Sequence, residues 1–244
     1  MKGRSNASPD KEIMKNLRRW LLCWSIAVLL FSQAVSAGEL PDGFVDVQSV
    51  IPDLRLELRY LTTNNFIGRP VDGYLAGRCI MTRRAAAALK EVQDELRPFG
   101  LGLKVFDAYR PRRAVDHFVR WARDLADTRM KASYYPDVAK KDLFRLGYIA
   151  DRSSHSRGST IDLTIVAMEK SGACRDLDMG TGFDLFDPAS HPVSTAVTAE
   201  QRALRLLLRS LMLRHGFVPY EQEWWHFTLT DEPYPDTYFD FPVT

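Results

Sequence analysis

Leu54, Leu56, Leu58 and Tyr60 alternate with charged or polar positions, the period of two expected of a strand with one buried face. The period then changes. Ala86, Leu89, Val92 and Leu96 recur at helical spacing behind Thr82, a residue suited to cap a first turn, and the pattern closes near Pro98 and Gly100. Leu103 to Phe106 predicts a short strand leading into Asp107-Ala108-Tyr109-Arg110-Pro111. Pro111 fits the first turn of a following helix, where its missing N–H goes unused, and Val115, Phe118, Val119, Ala122 and Leu125 supply that helix's apolar stripe. After a mixed segment, the turn-rich Ser153-Ser154-His155-Ser156-Arg157-Gly158 precedes a strand at Ile161 to Val166. Thr198 and Gln201 form a capping box for a Leu-rich helix that runs to His215 and stops at Gly216, and the last strands fall at Phe217 to Tyr220 and Trp224 to Leu229. Helices separate groups of strands without the alternation of a doubly wound parallel fold. The expectation is one α+β domain with a small mixed or antiparallel sheet and packed helices.

The amino terminus follows a different logic. Lys11, Lys15, Arg18 and Arg19 precede an apolar run from Trp20 to Phe31 and the small-residue ending Val35-Ser36-Ala37. That order describes a secretory signal peptide, with cleavage expected after Ala37 and a periplasmic or secreted destination. The apolar run is about a dozen residues, short of the roughly 20 that a membrane span requires, so no span is expected in the mature chain. Cys23 lies within the hydrophobic run, a poor context for lipid attachment.

Removing residues 1–37 changes the electrostatic picture. The whole chain carries 33 Lys and Arg against 31 Asp and Glu; the leader holds six of the former and two of the latter, which leaves 27 against 29 over residues 38–244. A near-neutral domain gives no electrostatic case for nucleic acid or an anionic membrane as partner. Cys79 and Cys174 remain after cleavage, and in an oxidising compartment one bridge and two separate thiols both fit their spacing.

Chemistry concentrates in two segments. Ser153-x-His155-x-x-Gly158-x-x-x-Asp162 places an imidazole on a turn and a carboxylate inside the apolar run Ile161-Asp162-Leu163-Thr164-Ile165. Glu223-Trp224-Trp225-His226-Phe227 sets an acid and an imidazole in the most aromatic part of the chain. Polar groups in such surroundings are costly unless paired or bound to a metal. Two His and one carboxylate, with a fourth position left for water, form the ligand set of a catalytic zinc site, so His155, Asp162 and His226 are the candidate ligands of one Zn2+ per chain. Glu223 is then left over as the general base that hydrolysis needs. Residues three apart oppose each other on an ideal strand, so Glu223 is expected at or before the strand start, or on a bulge. Arg110, between a strand end and a Pro-started helix, is the candidate oxyanion stabiliser, with Asp107 orienting it. His117, His191 and His215 receive no role; Trp224 and Trp225 read as core and pocket wall.

These segments, together with Asp107-Ala108-Tyr109-Arg110-Pro111, Asn65-Phe66-x-Gly68-x-Pro70-Val71-Asp72-Gly73-Tyr74 and the tail Tyr238-Phe239-Asp240-Phe241-Pro242, resemble the D-alanyl-D-alanine dipeptidase (VanX-type) family of zinc peptidases. The resemblance runs from about Val45 to the tail. It implies a fold shared with other DD-peptidases and the hedgehog signalling domain, and the same ligands, base and oxyanion stabiliser. It further implies Asp184, in Met179-Gly180-x-x-Phe183-Asp184, as the carboxylate that holds the substrate's free amine, and Ser153 as a substrate contact. A small D-amino-acid dipeptide, D-Ala-D-Ala, is the implied substrate, since an extended peptide carries no charge at that position. Two alternatives stand beside it: a carboxypeptidase or endopeptidase of the same fold acting on peptidoglycan stem peptides, and a non-catalytic zinc-fold binding protein. An exported enzyme would meet its dipeptide outside the cytoplasmic membrane, which points to envelope turnover.

Overall fold

The computed structural model describes residues 39–169 and 172–244. The expected signal peptide, residues 1–37, lies outside the described residues. Residues 40–244 form one compact unit. Among the described residues no helix is long and apolar enough to cross a membrane.

The architecture is α+β. A two-stranded antiparallel pair joins β1 (Phe44–Asp46) to β3 (Ile80–Thr82). The main sheet has the order β2-β4-β5-β8-β7, from β2 (Arg55–Leu56), β4 (Leu101–Asp107), β5 (Thr160–Met168), β8 (Glu223–Leu229) and β7 (Phe217–Tyr220), with β6 (Cys174–Asp176) also paired to β5. Within this sheet, among the described residues, β2 and β4 run parallel and the other pairings are antiparallel. The helices are α1 (Arg83–Leu96), α2 (Arg112–Arg123), the single turn α3 (Lys131–Tyr134) and α4 (Ala199–Arg214).

Local chemistry accounts for the helix starts. The Thr82 hydroxyl accepts from Ala85 N, and Thr198 and Gln201 exchange the reciprocal bonds of a capping box. The second helix begins one residue later than its proline suggested: Pro111 has extended backbone (φ −56°, ψ 145°) and serves as the N-cap. Its buried side is set by Ala114, His117, Phe118 and Trp121, while Leu125 lies beyond the helix end and is exposed. The expected strand from Leu54 to Tyr60 is cut to two residues by a 3-10 turn at Arg59–Leu61, which turns Tyr60 into the core. Cys79 is buried and Cys174 exposed, both as free thiols.

β5 is the organising strand. Ile161, Leu163 and Ile165 are fully buried on one face, each worth roughly 1.5–3 kcal/mol relative to exposure. Asp162 and Thr164 point to the other face, also buried. A bulge in β4 between Val105 and Asp107 lets Asp107, rather than Phe106, stand opposite Asp162. On the other edge Asp162 pairs with His226 of β8. Directly opposite residues share a face, so Asp107, Asp162 and His226 line up across three strands.

Candidate active site

His155 reaches this row from the 3-10 turn Ser154–Arg157 just before β5. The turn is closed by Gly158 at φ +82°, and a Cβ there would collide with the Phe44 ring, so the position accepts only glycine. The chain's tail supports the turn from outside through Phe239 N, which donates to Ser156 O at 2.8 Å, and Tyr109 stacks on Phe241 at 4.1 Å between ring centroids.

Three side chains converge here. His155 Nε2 lies 3.3 Å from Asp162 Oδ2, His226 Nδ1 3.1 Å from Asp162 Oδ1, and the two imidazole nitrogens are 3.3 Å apart. Four-coordinate zinc with bonds of about 2.05 Å has ligand-to-ligand separations near 3.3 Å by tetrahedral geometry. Asp162 Oδ1 is buried and, despite its nearness to His226, has no hydrogen-bond partner among the described residues, an orphaned acceptor that a cation would satisfy. The residues therefore fit a metal. The outer contacts also fit: His155 Nδ1 lies 2.7 Å from the Ala108 carbonyl, which fixes the proton there and leaves the Nε2 lone pair facing the cluster. Ser154 Oγ stands 3.4 Å from His226 Nε2.

Burial lowers the His155 pKa against the pull of Asp162, so its imidazole is neutral and able to ligate. Asp162 is driven up by burial but held well below the usual carboxylate range by His155 and His226, which outweigh it. The acid stays ionised.

Glu223 is the first residue of β8, as its spacing from His226 required, and its Oε2 lies 3.5 Å from His226 Nδ1. Burial pushes its pKa up to about 7. Such a carboxyl can both take and return a proton near neutral pH. Arg110 is buried rather than part of a surface ion pair. Its Nε and a terminal nitrogen each sit 2.9 Å from Asp107 Oδ2, the same terminal nitrogen lies 3.6 Å from Asp162 Oδ2, and the guanidinium faces the Tyr60 and Phe118 rings at 5.0 Å.

Arg110, His155, Asp162, Glu223 and His226 open onto one cleft of about 260 Å³, lined also by Ser153, Asp184, Tyr148, Tyr220 and Arg152. That is slightly below the roughly 300–1,000 Å³ of sites for drug-sized ligands. Asp184 is buried and accepts a hydrogen bond from the Tyr60 hydroxyl at 2.9 Å. Burial, then the Asp162 and Glu223 charges, raise its pKa well above the carboxylate range. Ser153 lies at the cleft wall and caps the His155 turn.

Sequence reasoning missed Tyr60 and Tyr74. Tyr60 was absorbed into a strand pattern, although an aromatic hydroxyl at the end of an apolar run needs a partner when buried. The Tyr74 hydroxyl donates to Asp107 Oδ1 at 2.7 Å and so steadies the acid behind Arg110. Trp224 and Trp225 are buried but neither lines the cleft; Trp224 instead borders a hollow beside Lys104 and Phe183.

A sequence profile of the D-ala-D-ala dipeptidase family matches residues 41–244. A D-alanyl-D-alanine dipeptidase of Streptomyces coelicolor is 45% identical over 200 residues, covering 82% of this chain and 98% of its own. One from Enterococcus faecalis is 42% identical over 205 residues, covering 84% of this chain and 100% of its own. A further relative of that name, from Escherichia coli, is 35% identical over 185 residues, covering 76% and 83%. With four-fifths of its length matched to a profile whose residues surround this cleft, the chain belongs to the D-ala-D-ala dipeptidase family of peptidases.

Proposed function

We propose that this chain hydrolyses the free dipeptide D-Ala-D-Ala with zinc held by His155, Asp162 and His226. The observation that carries the substrate choice is Asp184, a buried carboxyl in the same cleft as the three metal-binding groups. Among the described residues it forms no ion pair. A ligand's ammonium would supply the missing cation and let Asp184 ionise. A peptide blocked or extended at its amino end brings no such charge.

The remaining residues then have defined tasks. Zinc bound in the cluster would lower the pKa of a coordinated water toward about 7 and polarise the scissile carbonyl. Glu223 takes the water's proton and returns it to the departing amine. Arg110, fixed by Asp107, stands ready for the charge that develops on the carbonyl oxygen. Tyr60 donates to Asp184 and orients it, and Ser153 offers a hydroxyl at the cleft wall. With a leader of the secretory type ahead of it, the enzyme would act in envelope turnover, on dipeptide outside the cytoplasmic membrane.

The test is hydrolysis of D-Ala-D-Ala, L-Ala-L-Ala, N-acetyl-D-Ala-D-Ala and a cell-wall pentapeptide by purified protein, with and without chelator. Rapid, chelator-sensitive cleavage of the first substrate alone is expected. Preference for the pentapeptide would instead support a carboxypeptidase or endopeptidase.

A further inference from the structure

We infer that Arg205 is a positioning residue for substrate recognition: from α4 it braces both stems of the loop 177–191 and so holds the Asp184 carboxyl at the cleft. The inference rests on the proposed reading of Asp184 as the ammonium partner.

The loop needs a brace. It leaves β6 and crosses to the cleft with no strand partner of its own, and Asp184 at its centre has φ +61°, the one non-glycine residue among the described residues in the left-handed region. That conformation is strained for a residue with a side chain, less so for aspartate than for most, and packing must hold it. Arg205 is in position to impose it. Its Nε donates to Met179 O at 2.7 Å and a terminal nitrogen donates to Ala189 O at 2.8 Å and His191 O at 2.9 Å, so one guanidinium joins the chain five residues before Asp184 to the chain five and seven residues after it. The other terminal nitrogen reaches Thr181 Oγ1 at 3.3 Å.

Thr181 makes this a hub. Its hydroxyl oxygen also accepts from Trp224 Nε1 at 2.9 Å and lies 3.2 Å from Ser190 Oγ, which in turn donates to Leu185 O at 2.7 Å. Trp224 follows Glu223 directly, so the loop is indexed to the strand that carries the candidate base. The near stem is packed equally tightly: Gly180, at φ +88°, lies against Val197 and Gln201, where a Cβ would collide.

Arg205 is itself unusual. It is almost fully buried and, among the described residues, has no ion pair; its acceptors are three carbonyls and one hydroxyl. Isolating a charge in this way is expensive and would be replaced by an apolar side chain if packing alone were needed. A planar fork with several donors is what spans two separated stems, and an ammonium cannot copy it. Burial lowers its pKa only to about 10, so the fork is charged at neutral pH.

The experiment is steady-state kinetics of zinc-loaded Arg205→Lys on D-Ala-D-Ala and N-acetyl-D-Ala-D-Ala, beside Asp184→Asn and the double variant. A misplaced binding group costs up to about a hundredfold. KM for the free dipeptide should rise about tenfold with kcat within about threefold, metal content should equal wild type, and preference for the free over the acetylated substrate should fall about tenfold. The Asp184→Asn background should show no further rise. Thr181→Val, close to isosteric, removes the hub hydroxyl and should repeat the KM effect; it stands as the test if Arg205→Lys fails to fold. Wild-type KM and selectivity in the Arg205 variant, or an equal loss of kcat on both substrates, would overturn the brace alone. An Asp184→Asn enzyme with wild-type KM and selectivity would overturn the ammonium reading and the brace together.

Discussion

Glu223 and His226 stand three residues apart on one strand, yet the Glu223 carboxyl lies 3.5 Å from His226 Nδ1. On an ideal strand they would face opposite sides of the sheet. The register between β7 and β8 slips between Pro219 and Tyr220, so that Glu223 faces Tyr220 at the end of the ladder, free of the regular pleat. This local irregularity brings an acid to the row of candidate metal ligands without making it part of it.

Glu223→Gln is therefore expected to keep metal and substrate binding while losing the proton-transfer group. A fall in kcat of about 10²–10⁴-fold is expected, with zinc content at wild-type stoichiometry by metal analysis. Zinc loss in this variant would place Glu223 among the ligands instead.

Much of this was legible in the sequence because the signals were local. Thr82, and Thr198 with Gln201, satisfy helix donors within four residues, and both helices start where those residues stand. The acid inside Ile161-Asp162-Leu163 was an anomaly in its own strand, and the structure puts it between His155 and His226. Non-local causes were invisible. The strand beginning at Arg55 stops early, and the 3-10 turn that follows brings Tyr60 to Asp184, 124 positions away. The bulge that aims Asp107 depends on the pairing of β4 with β5, and no residue near Phe106 announces it. The Arg205 bonds to Met179, Ala189 and His191 likewise join segments with no shared pattern.

Arg110 is clamped by two contacts to one Asp107 oxygen and by two aromatic faces. Lysine keeps the charge but loses the planar fork, so its ammonium cannot hold the two contacts to Asp107 and keep the same donor geometry toward the cleft. Arg110→Lys should lower kcat by about 10²–10³-fold with a smaller change in KM, the pattern of a donor used mainly in the transition state. A KM effect alone would assign Arg110 to ground-state binding.

The raised pKa of Asp184 gives binding a pH dependence with a definite sign. In the free enzyme burial favours the protonated form of this carboxyl, whereas an ammonium would bind its ionised form. Binding of an ammonium would thus release a proton from Asp184, and 1/KM should climb with pH through the neutral range. It should turn down above the α-amino pKa of about 7.7–8.0, where the ligand loses its charge. Asp184→Asn should weaken binding and flatten the rising limb. A wild-type KM constant over that range would remove Asp184 as the ammonium partner.

Metal removal bears on stability as well as activity, because the cluster exists only in the folded chain. A ligand that binds the native state alone stabilises it by RT ln(1 + [L]/Kd), about 2.7 kcal/mol at one hundred times Kd. For a domain of this size each kcal/mol moves Tm by roughly 2–4 °C. Chelation should therefore lower Tm by several degrees, and restored zinc should reverse it. Asp162 supplies the buried, unpartnered oxygen, so Asp162→Asn should abolish the zinc-dependent shift in a thermal melt while the chelated variant still unfolds cooperatively. The neutral amide removes the negative charge that a cation between the two imidazoles would meet. A zinc-dependent Tm shift undiminished in Asp162→Asn would place the ion elsewhere in the chain.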